Sequence, residues 1–371
     1  MKAYFLVFGI AVIFIMLADF FFKKKSNLIG WFAMLVSLLS LVIVAAVRES
    51  SVGTDIKFYY YQIFYDFVMS GKSIMAELHI ANVEPGFVIL VYLSSIFKDF
   101  NISMGIIQFV IIIPIYILAY KLRNKYSMTM VILVFITTMY VRSFNLIRQS
   151  IAMTWTILSI YYYFNEEYKK CIGILIGAAF IHISALMVIS IYFIIYLYKL
   201  NNKNRYYMLC GMYIVLFTSI IFFNPILSLI GGRYERYISN SSNMVDGFSI
   251  FSLVKKIFWI MIAVFLIINS QKVQRKEVNW NSKIALNLLF IDLVLSFLTI
   301  KIPNAGRIGY YFINVAYIII GINFSNIFKQ KKMVNVILSV IFVMFWINMT
   351  AVKNSGDGTF PYTSDILKFL N

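Results

Sequence analysis

Long apolar stretches separated by short polar stretches repeat along the whole chain. A helix rises about 1.5 Å per residue, so roughly 20 apolar residues cross a hydrocarbon core of about 30 Å. The runs are continuous, where the strands of a membrane β-barrel would alternate. The pattern therefore predicts an all-α, polytopic membrane helix bundle. The clear candidate spans are 3–22, 28–47, 102–120, 128–141, 149–164, 206–223, 250–268, 284–300, 308–324 and 334–350.

Two further apolar stretches do not fit a simple crossing. Residues 87–97 form roughly 16 Å of helix, which is too short to cross, and Pro85 suits the first turn of a helix. We expect a re-entrant or interfacial helix there. Residues 171–200 are too long for one crossing, and His182-Ile183-Ser184 interrupts them, so we expect two short crossings. The resulting prediction is one transmembrane domain, residues 1–371, with about 12 crossings.

Charge is distributed unevenly between the polar segments. The chain has 33 basic and 15 acidic residues, and 18 of the basic residues share one face with three acids. The positive-inside rule makes that face cytoplasmic. The other face receives six of its 15 basic residues as arginine, against three of 18 on the cytoplasmic face. Because the planar guanidinium suits phosphate and carboxylate, the outer face is predicted to hold an anion.

This topology places four loops and the C-terminal tail outside the membrane. They are 48–86, 142–148, 231–249, 301–307 and the tail 351–371. The basic residues lie in short loops and form no contiguous surface, which argues against nucleic acid as a partner.

The first outer loop opens with residues suited to binding a sugar diphosphate. Arg48 ends a span, and Gly53-Thr54-Asp55 is typical of a turn. One interpretation makes Arg48 a diphosphate ligand and Asp55 a base or an orienting group. The other is an arginine that reaches lipid headgroups and an aspartate that bonds its own turn. Tyr59 and its aromatic neighbours suit either sugar stacking or an interfacial aromatic belt.

A second outer turn carries two arginines. Arg142 ends one predicted span, Arg148 and Gln149 open the next, and Asn145 lies between them. The positive-inside rule does not predict two arginines in an outer turn. If Arg148 begins a helix, the partial positive charge of the helix N-terminus adds to an anion site. We therefore expect this turn to bind an anion.

Other candidate groups lie further along the chain. His182 stands alone among apolar residues, where it is either a hydrogen-bonded structural residue or a proton-transfer group. Arg233 and Arg236 either share a helical face toward a ligand or pair with Glu235 between them. Arg307 ends the outer turn 301–307.

Asp292 falls within a predicted span, where a carboxylate is costly and is expected to face a partner inside the bundle. It is either a packed, hydrogen-bonded aspartate or part of a proton path.

Several chemistries are excluded by the motifs that the sequence lacks. There is no P-loop, GxSxG, HExxH or dinucleotide motif, and the two cysteines and two histidines have no metal-ligand spacing. We therefore expect no metal and no cofactor, and no nucleotide or hydrolase chemistry of the soluble kind.

The order of these motifs resembles the EpsG family, which are Wzy-like polymerases of bacterial exopolysaccharide, capsule and O-antigen. The resemblance covers essentially the whole chain, and Ile183 departs from it because the family often has a basic residue there. The matching residues are Arg48, Val52 to Asp55, Glu84 to Phe87, Asn145, Arg148, Gln149, His182, Ser184, Ala185 and Pro361-Tyr362.

The resemblance implies a glycosyltransferase in the bacterial cytoplasmic membrane with its active site on the extracytoplasmic face. Its substrate is an oligosaccharide repeat unit linked to undecaprenyl diphosphate. The growing chain leaves its lipid diphosphate and joins a sugar hydroxyl of the next repeat unit. The expected partners are the bilayer, a flippase and a chain-length regulator of the same pathway.

The candidate residues take roles under this hypothesis. Asp55 or His182 activates the acceptor hydroxyl, with Asp55 preferred because a carboxylate keeps its base form at physiological pH, while Arg148 neutralises the diphosphate. The alternative is a transporter or flippase of lipid-linked oligosaccharides with Asp292 as its coupling site. The residues expected to contact substrate are Arg48, Thr54, Tyr59, Glu84, Arg142, Asn145, Gln149, Arg233, Arg236 and Arg307.

Overall fold

A computed structural model gives the positions of most of the chain. The described residues are 2–53, 55–56, 60–81, 83–200, 204–221, 250–271, 280–299, 306–327, 332–348 and 358–368. They form fifteen α-helices and no strand. In chain order the helices are α1 Lys2–Lys23, α2 Asn27–Ala46, α3 Tyr61–Val68, α4 Ile74–Ile80, α5 Pro85–Ser95, α6 Phe100–Leu122, α7 Met128–Phe135, α8 Ile147–Phe164, α9 Tyr168–Ile181, α10 Val188–Lys199, α11 Arg205–Ile221, α12 Ile250–Gln271, α13 Ser282–Leu298, α14 Gly306–Ile327 and α15 Lys332–Ile347.

Five helices in the described part of the chain are long and apolar enough to cross a membrane. They are α1, α2 and α6, together with residues Ser252–Asn269 of α12 and Gly306–Ser325 of α14. The all-helical, multi-pass membrane class predicted from the hydrophobic pattern is confirmed. The number of crossings and the side on which each loop lies stay predictions.

The chain divides into two compact units, Met1–Leu186 with Phe328–Asn371, and Met187–Ile327. In the first unit α1 packs along α2, α2 along α6, and α8 along α6 and α9. In the second unit α13 packs along α14 and against α12. The single transmembrane domain stays a prediction.

The turn between α7 and α8 is irregular and nearly all buried. After α7 the backbone forms a π-helical turn over Ile136–Tyr140 and a 3₁₀ turn over Val141–Phe144, and α8 begins three residues later. Irregular backbone at membrane depth is tolerated where protein covers it, because its polar groups then find partners within the protein. Thr137 and Thr138, for example, donate hydrogen bonds to carbonyl oxygens of the preceding turn. Single π-turns are frequent at functional sites.

Both breaks predicted from the sequence are present. Pro85 lies in the first turn of α5, and His182 ends α9 in an extended conformation before a 3₁₀ segment over Ile183–Met187. The first outer loop differs from the prediction because it contains α3 and α4. A run of aromatic residues at helical spacing, Tyr60, Phe64 and Phe67, gives α3 a buried face that compensates for its short length.

Asp292 has a cationic partner in the second unit. Lys256 of α12 forms an ion pair with the Asp292 carboxylate and donates a second hydrogen bond, 3.2 Å long, to the Asp292 carbonyl oxygen. The carboxylate lies against α14 at Gly309, where a Cβ atom would overlap it. Lys256 lies within the predicted span 250–268, and the structure places it inside α12. This geometry matches the packed, paired aspartate of the two interpretations.

Candidate functional site

Three helix ends of the first unit converge on one cluster of polar side chains. Glu84 is the residue before α5, Arg148 is the second residue of α8, and His182 is the residue after α9. Each helix end fixes the start of a side chain, because residues at helix ends have defined backbone angles and unpaired backbone groups nearby. We call Glu84, Arg148 and His182 the carboxylate cluster.

Glu84 is the centre of the carboxylate cluster. Its Oε2 accepts a hydrogen bond from Arg148 Nη1 at 2.7 Å, and its Oε1 lies 2.7 Å from His182 Nδ1. Oε1 also accepts the Ile183 backbone N–H at 3.4 Å. The three side chains are 19–23% exposed. One carboxylate therefore ties together residues up to 98 positions apart in sequence, at a place that solvent still reaches.

The neighbours of Glu84 keep it ionised. Burial alone would raise the pKa of Glu84, but the His182 hydrogen bond and the charges of His182 and Arg148 outweigh it and lower the pKa to about 2. An ionised carboxylate only accepts hydrogen bonds. His182 Nδ1 must therefore carry the hydrogen and donate it to Oε1. In the neutral imidazole this leaves the lone pair on Nε2, which is the tautomer that a general base requires.

The packing of α5 on α9 sets the distance between Glu84 and His182. A Cβ atom at Gly86 would lie 2.6 Å from both the carbonyl oxygen and a ring carbon of Phe180. Real Cβ atoms do not approach so closely, so α5 reaches this position only because residue 86 is glycine. Gly86 follows Glu84 by two residues and Phe180 precedes His182 by two. The glycine contact therefore lies directly beside the Glu84–His182 hydrogen bond.

The polar turn that follows Arg48 contacts the polar turn between Arg142 and Arg148. The Asp55 backbone N–H donates to Asn145 Oδ1, and Asp55 Oδ2 accepts the Ile147 N–H, both at 3.3 Å. Gly53 adopts a positive φ of 100° and lies against the carbonyl oxygen of Phe144. In the structure the first N–H of α8 donates to the Asp55 carboxylate. Anion binding at this turn stays a prediction.

Arg48 lies beneath these turns, almost completely buried. Its guanidinium stacks on the Phe144 ring at 4.0 Å, and Nη1 donates to the Ala45 carbonyl oxygen at 2.7 Å. Burial lowers the pKa of Arg48 to about 10, against the opposing influence of nearby tyrosines, so the group stays charged at neutral pH.

The C-terminal segment covers Arg48. We call residues 358–368 the cover segment. The Glu49 N–H donates to the Thr363 carbonyl oxygen at 3.0 Å, and the Gly53 N–H donates to the Gly358 carbonyl oxygen at 2.9 Å. Ser364 Oγ donates to the Val47 carbonyl oxygen at 2.6 Å. The sequence suggested Pro361-Tyr362 only as a family motif and gave no sign that the tail returns to the first outer loop.

The remaining candidates are dispersed. Arg142 is half-buried and Gln149 buried, both near the carboxylate cluster in sequence, whereas Arg307 is exposed and belongs to the second unit. Four candidates lie outside the described residues: Thr54, Tyr59, Arg233 and Arg236. Glu84 was expected only as a substrate contact. Its position directly before a helix-starting Pro-Gly pair is the local signal that could have marked it as a helix-end carboxylate.

Comparison with known proteins gives one match. A family model described as the EpsG family matches residues 31–364, which is nearly the whole chain and includes every member of the carboxylate cluster. No curated protein and no solved structure matches the chain.

Proposed function

The chain belongs to the EpsG family, and on that basis we propose that it polymerises oligosaccharide repeat units carried on undecaprenyl diphosphate. Membership supports a polymerase of exopolysaccharide biosynthesis, and the apolar helices support a location in the bacterial cytoplasmic membrane. The extracytoplasmic face of the active site, the lipid carrier and the transfer reaction are parts of the proposal. The observation that carries it is the hydrogen-bonded Arg148–Glu84–His182 cluster.

The reaction needs a base. His182 Nε2 removes the proton from the acceptor sugar hydroxyl while Glu84 holds the imidazole through Nδ1 and stabilises the positive charge that develops. The acceptor oxygen then forms a bond to the anomeric carbon of the growing chain. This choice reverses the preference for Asp55, because the Asp55 carboxylate already accepts the first N–H of α8.

The reaction also needs a stabilised leaving group. As the bond between the anomeric carbon and the diphosphate oxygen breaks, the electron pair moves to the diphosphate. The Arg148 guanidinium is a planar cation that donates to Glu84 through Nη1. Arg148, with Arg142 on the preceding turn, neutralises the diphosphate by charge-assisted hydrogen bonds. Glu84 therefore orients an acid–base group with one oxygen and an anion-binding group with the other.

Replacement of Arg148 tests the proposal. In cells that depend on this chain for polymer, Arg148→Ala should abolish polymer and leave single lipid-linked repeat units. Arg148→Lys should restore little, because an ammonium cannot reproduce the planar fork. Arg123→Ala is the matched control, since Arg123 and Arg148 each lie at a helix end with the guanidinium over an aromatic ring, that of Tyr120 and that of Phe87 respectively. Normal-length polymer from the Arg148→Ala variant would contradict the assignment.

The alternative is a transporter of the same lipid-linked sugars, and the Lys256–Asp292 pair is the observation that favours it. Intramembrane ionisable pairs occur in proton-coupled transport. Purified protein in detergent distinguishes the two, because no gradient exists there. Elongation of supplied lipid-linked repeat units in detergent would exclude transport as the sole activity.

A further inference from the structure

Arg48 is buried without the partners that a buried arginine normally has. Its side chain is 2% exposed, and Nη1 has a hydrogen-bond acceptor in the Ala45 carbonyl oxygen. Nε and Nη2 have no hydrogen-bond partner among the described residues. Buried polar groups are satisfied in the great majority of native structures. Two unsatisfied donors on one charged group therefore require an explanation.

The two unpartnered nitrogens lie on the same edge of the guanidinium. Nε and Nη2 point in parallel, and this edge donates two hydrogen bonds to one phosphate or carboxylate group. The opposite side of the group is held by the Nη1 bond and by stacking on Phe144. The contacts thus fix the plane of the guanidinium and leave its bidentate edge available.

The surroundings of Arg48 do not neutralise it. No carboxylate in the described part of the chain forms an ion pair with it. Tyr4, Tyr140 and Tyr362 surround the group, but each donates its hydroxyl hydrogen to a backbone carbonyl oxygen. Taking a cation out of water is costly unless a negative charge compensates it. The surroundings of Arg48 are therefore electrostatically complementary to an anion.

The cover segment packs over the end of α2, where Arg48 lies. The cover segment accepts hydrogen bonds from the Glu49 and Gly53 backbone N–H groups. Its Tyr362 Oη donates to the Val44 carbonyl oxygen at 2.9 Å. Thr359 and Tyr362 are each 2% exposed. These contacts lie at the end of α2, directly around Arg48. The cover segment therefore lies against the backbone on both sides of Arg48 in the sequence.

We propose that Arg48 is an oxyanion site that binds a phosphate group through Nε and Nη2, and that residues 358–368 are a removable cover over it. The ligand class is a diphosphate. The source is either the headgroup of the lipid carrier or the free diphosphate. The identification of the source rests on the proposed function, whereas the site itself rests on the buried guanidinium.

A reversible cross-link tests the cover. Ser51 Oγ and Thr363 Oγ1 are exposed and lie 3.4 Å apart, so cysteines at these positions bring two sulfur atoms close enough to bond. The pair Ser51→Cys and Thr363→Cys is made in full-length protein that also carries Cys210→Ser, because Cys210 is exposed. Binding of undecaprenyl diphosphate and of inorganic pyrophosphate to the purified protein is then measured in detergent.

Oxidation should weaken binding at least tenfold, and reduction with dithiothreitol should restore it. Each single-cysteine variant should bind equally under both conditions. If oxidation weakens binding of undecaprenyl diphosphate, and pyrophosphate binds weakly before and after oxidation, the ligand is the headgroup of the lipid carrier. If oxidation weakens binding of both probes equally, the ligand is the diphosphate group alone. Equal binding of both probes before and after oxidation would overturn the proposal.

A second variant tests the arginine itself. Arg48→Lys keeps the charge but cannot make two parallel hydrogen bonds. The diphosphate binding that oxidation weakens should therefore disappear in the Arg48→Lys variant. The Arg123→Lys control should keep it. The cross-linked protein retains Arg48, so the cover is tested even if the lysine variant fails to fold. These are binding measurements. Diphosphate binding that oxidation weakens, in a protein that does not elongate supplied lipid-linked repeat units in detergent, would leave the oxyanion site standing and remove the proposed function.

Discussion

Glu84→Gln is the change that tests the carboxylate cluster most directly. Glutamine has nearly the shape of glutamate, so the helix end of α5 keeps its packing. The change removes the negative charge that Arg148 and His182 share. It also replaces one acceptor oxygen by an NH₂ group, which faces donors at Arg148 or at His182. Either orientation of the amide breaks one of the two contacts.

The structure sets the size of the effect. The pKa of Glu84 falls from an ordinary 4.5 to about 2, and each unit corresponds to 1.36 kcal/mol, so the ionised form gains at most roughly 3 kcal/mol from its partners. The folded-state pKa is depressed, so this stabilisation is present above about pH 4.5 and is lost as the pH falls toward 2. The difference in unfolding free energy between wild type and variant should shrink over the same window.

The effect on catalysis should be larger than the effect on stability. A positioned general base contributes typically 10²–10⁴-fold, and Glu84 sets both the tautomer and the orientation of His182. The elongation rate of purified protein with lipid-linked repeat units should therefore fall by roughly 10²–10⁴-fold in Glu84→Gln. Binding of the lipid-linked substrate should change far less.

A surface carboxylate provides the matched control. Glu167, the residue before α9, forms a surface ion pair with Lys170 three residues later, and Glu167→Gln should leave elongation unchanged. An elongation rate for Glu84→Gln within threefold of wild type would refute the role given to the Glu84–His182 contact.

Three further changes have defined outcomes. Gly86→Ala should push α5 from α9 and reduce elongation at least tenfold, whereas Gly177→Ala, where a Cβ meets no atom within 4 Å, should not; equal activity of the two would remove the positioning role. Asp55→Ala should destabilise the fold by about 1 kcal/mol in chemical denaturation through loss of the helix cap, whereas Asp55→Asn should keep elongation within severalfold; a folded but inactive Asn variant would make Asp55 the base. Asp292→Asn should destabilise the protein by several kcal/mol, because Lys256 is left inside the bundle without its carboxylate partner. Adding Lys256→Met to Asp292→Asn should restore the stability measured by thermal unfolding.

Local features of this fold could be predicted from the sequence because they depend on neighbouring residues. Pro85 marks a helix start and the polar residues after Ile181 mark a helix break, and both are where the pattern predicts them. The short helices α3 and α4 were not predicted, since short helices depend on tertiary packing more than on propensity.

The cluster could not be predicted because each of its contacts joins distant parts of the chain. Glu84 and His182 were both candidates, but nothing local links residues 98 positions apart. Asp55 has the composition of a catalytic base, and only its contact with Ile147 indicates a helix cap. The residue types in the sequence therefore identify most members of the site, whereas the contacts between them are visible only in the folded structure.

The contact between Val44 and Tyr362 also constrains the order in which the protein can be made. These residues are 318 positions apart, and ribosomes add about 5–20 residues per second, so roughly 15–60 s pass between the synthesis of the two ends. Throughout that interval the Arg48 guanidinium is already inserted beside the membrane while the polypeptide that covers it does not yet exist. Biogenesis of the first unit therefore cannot finish during synthesis of its early helices, and it waits for residues 358–368.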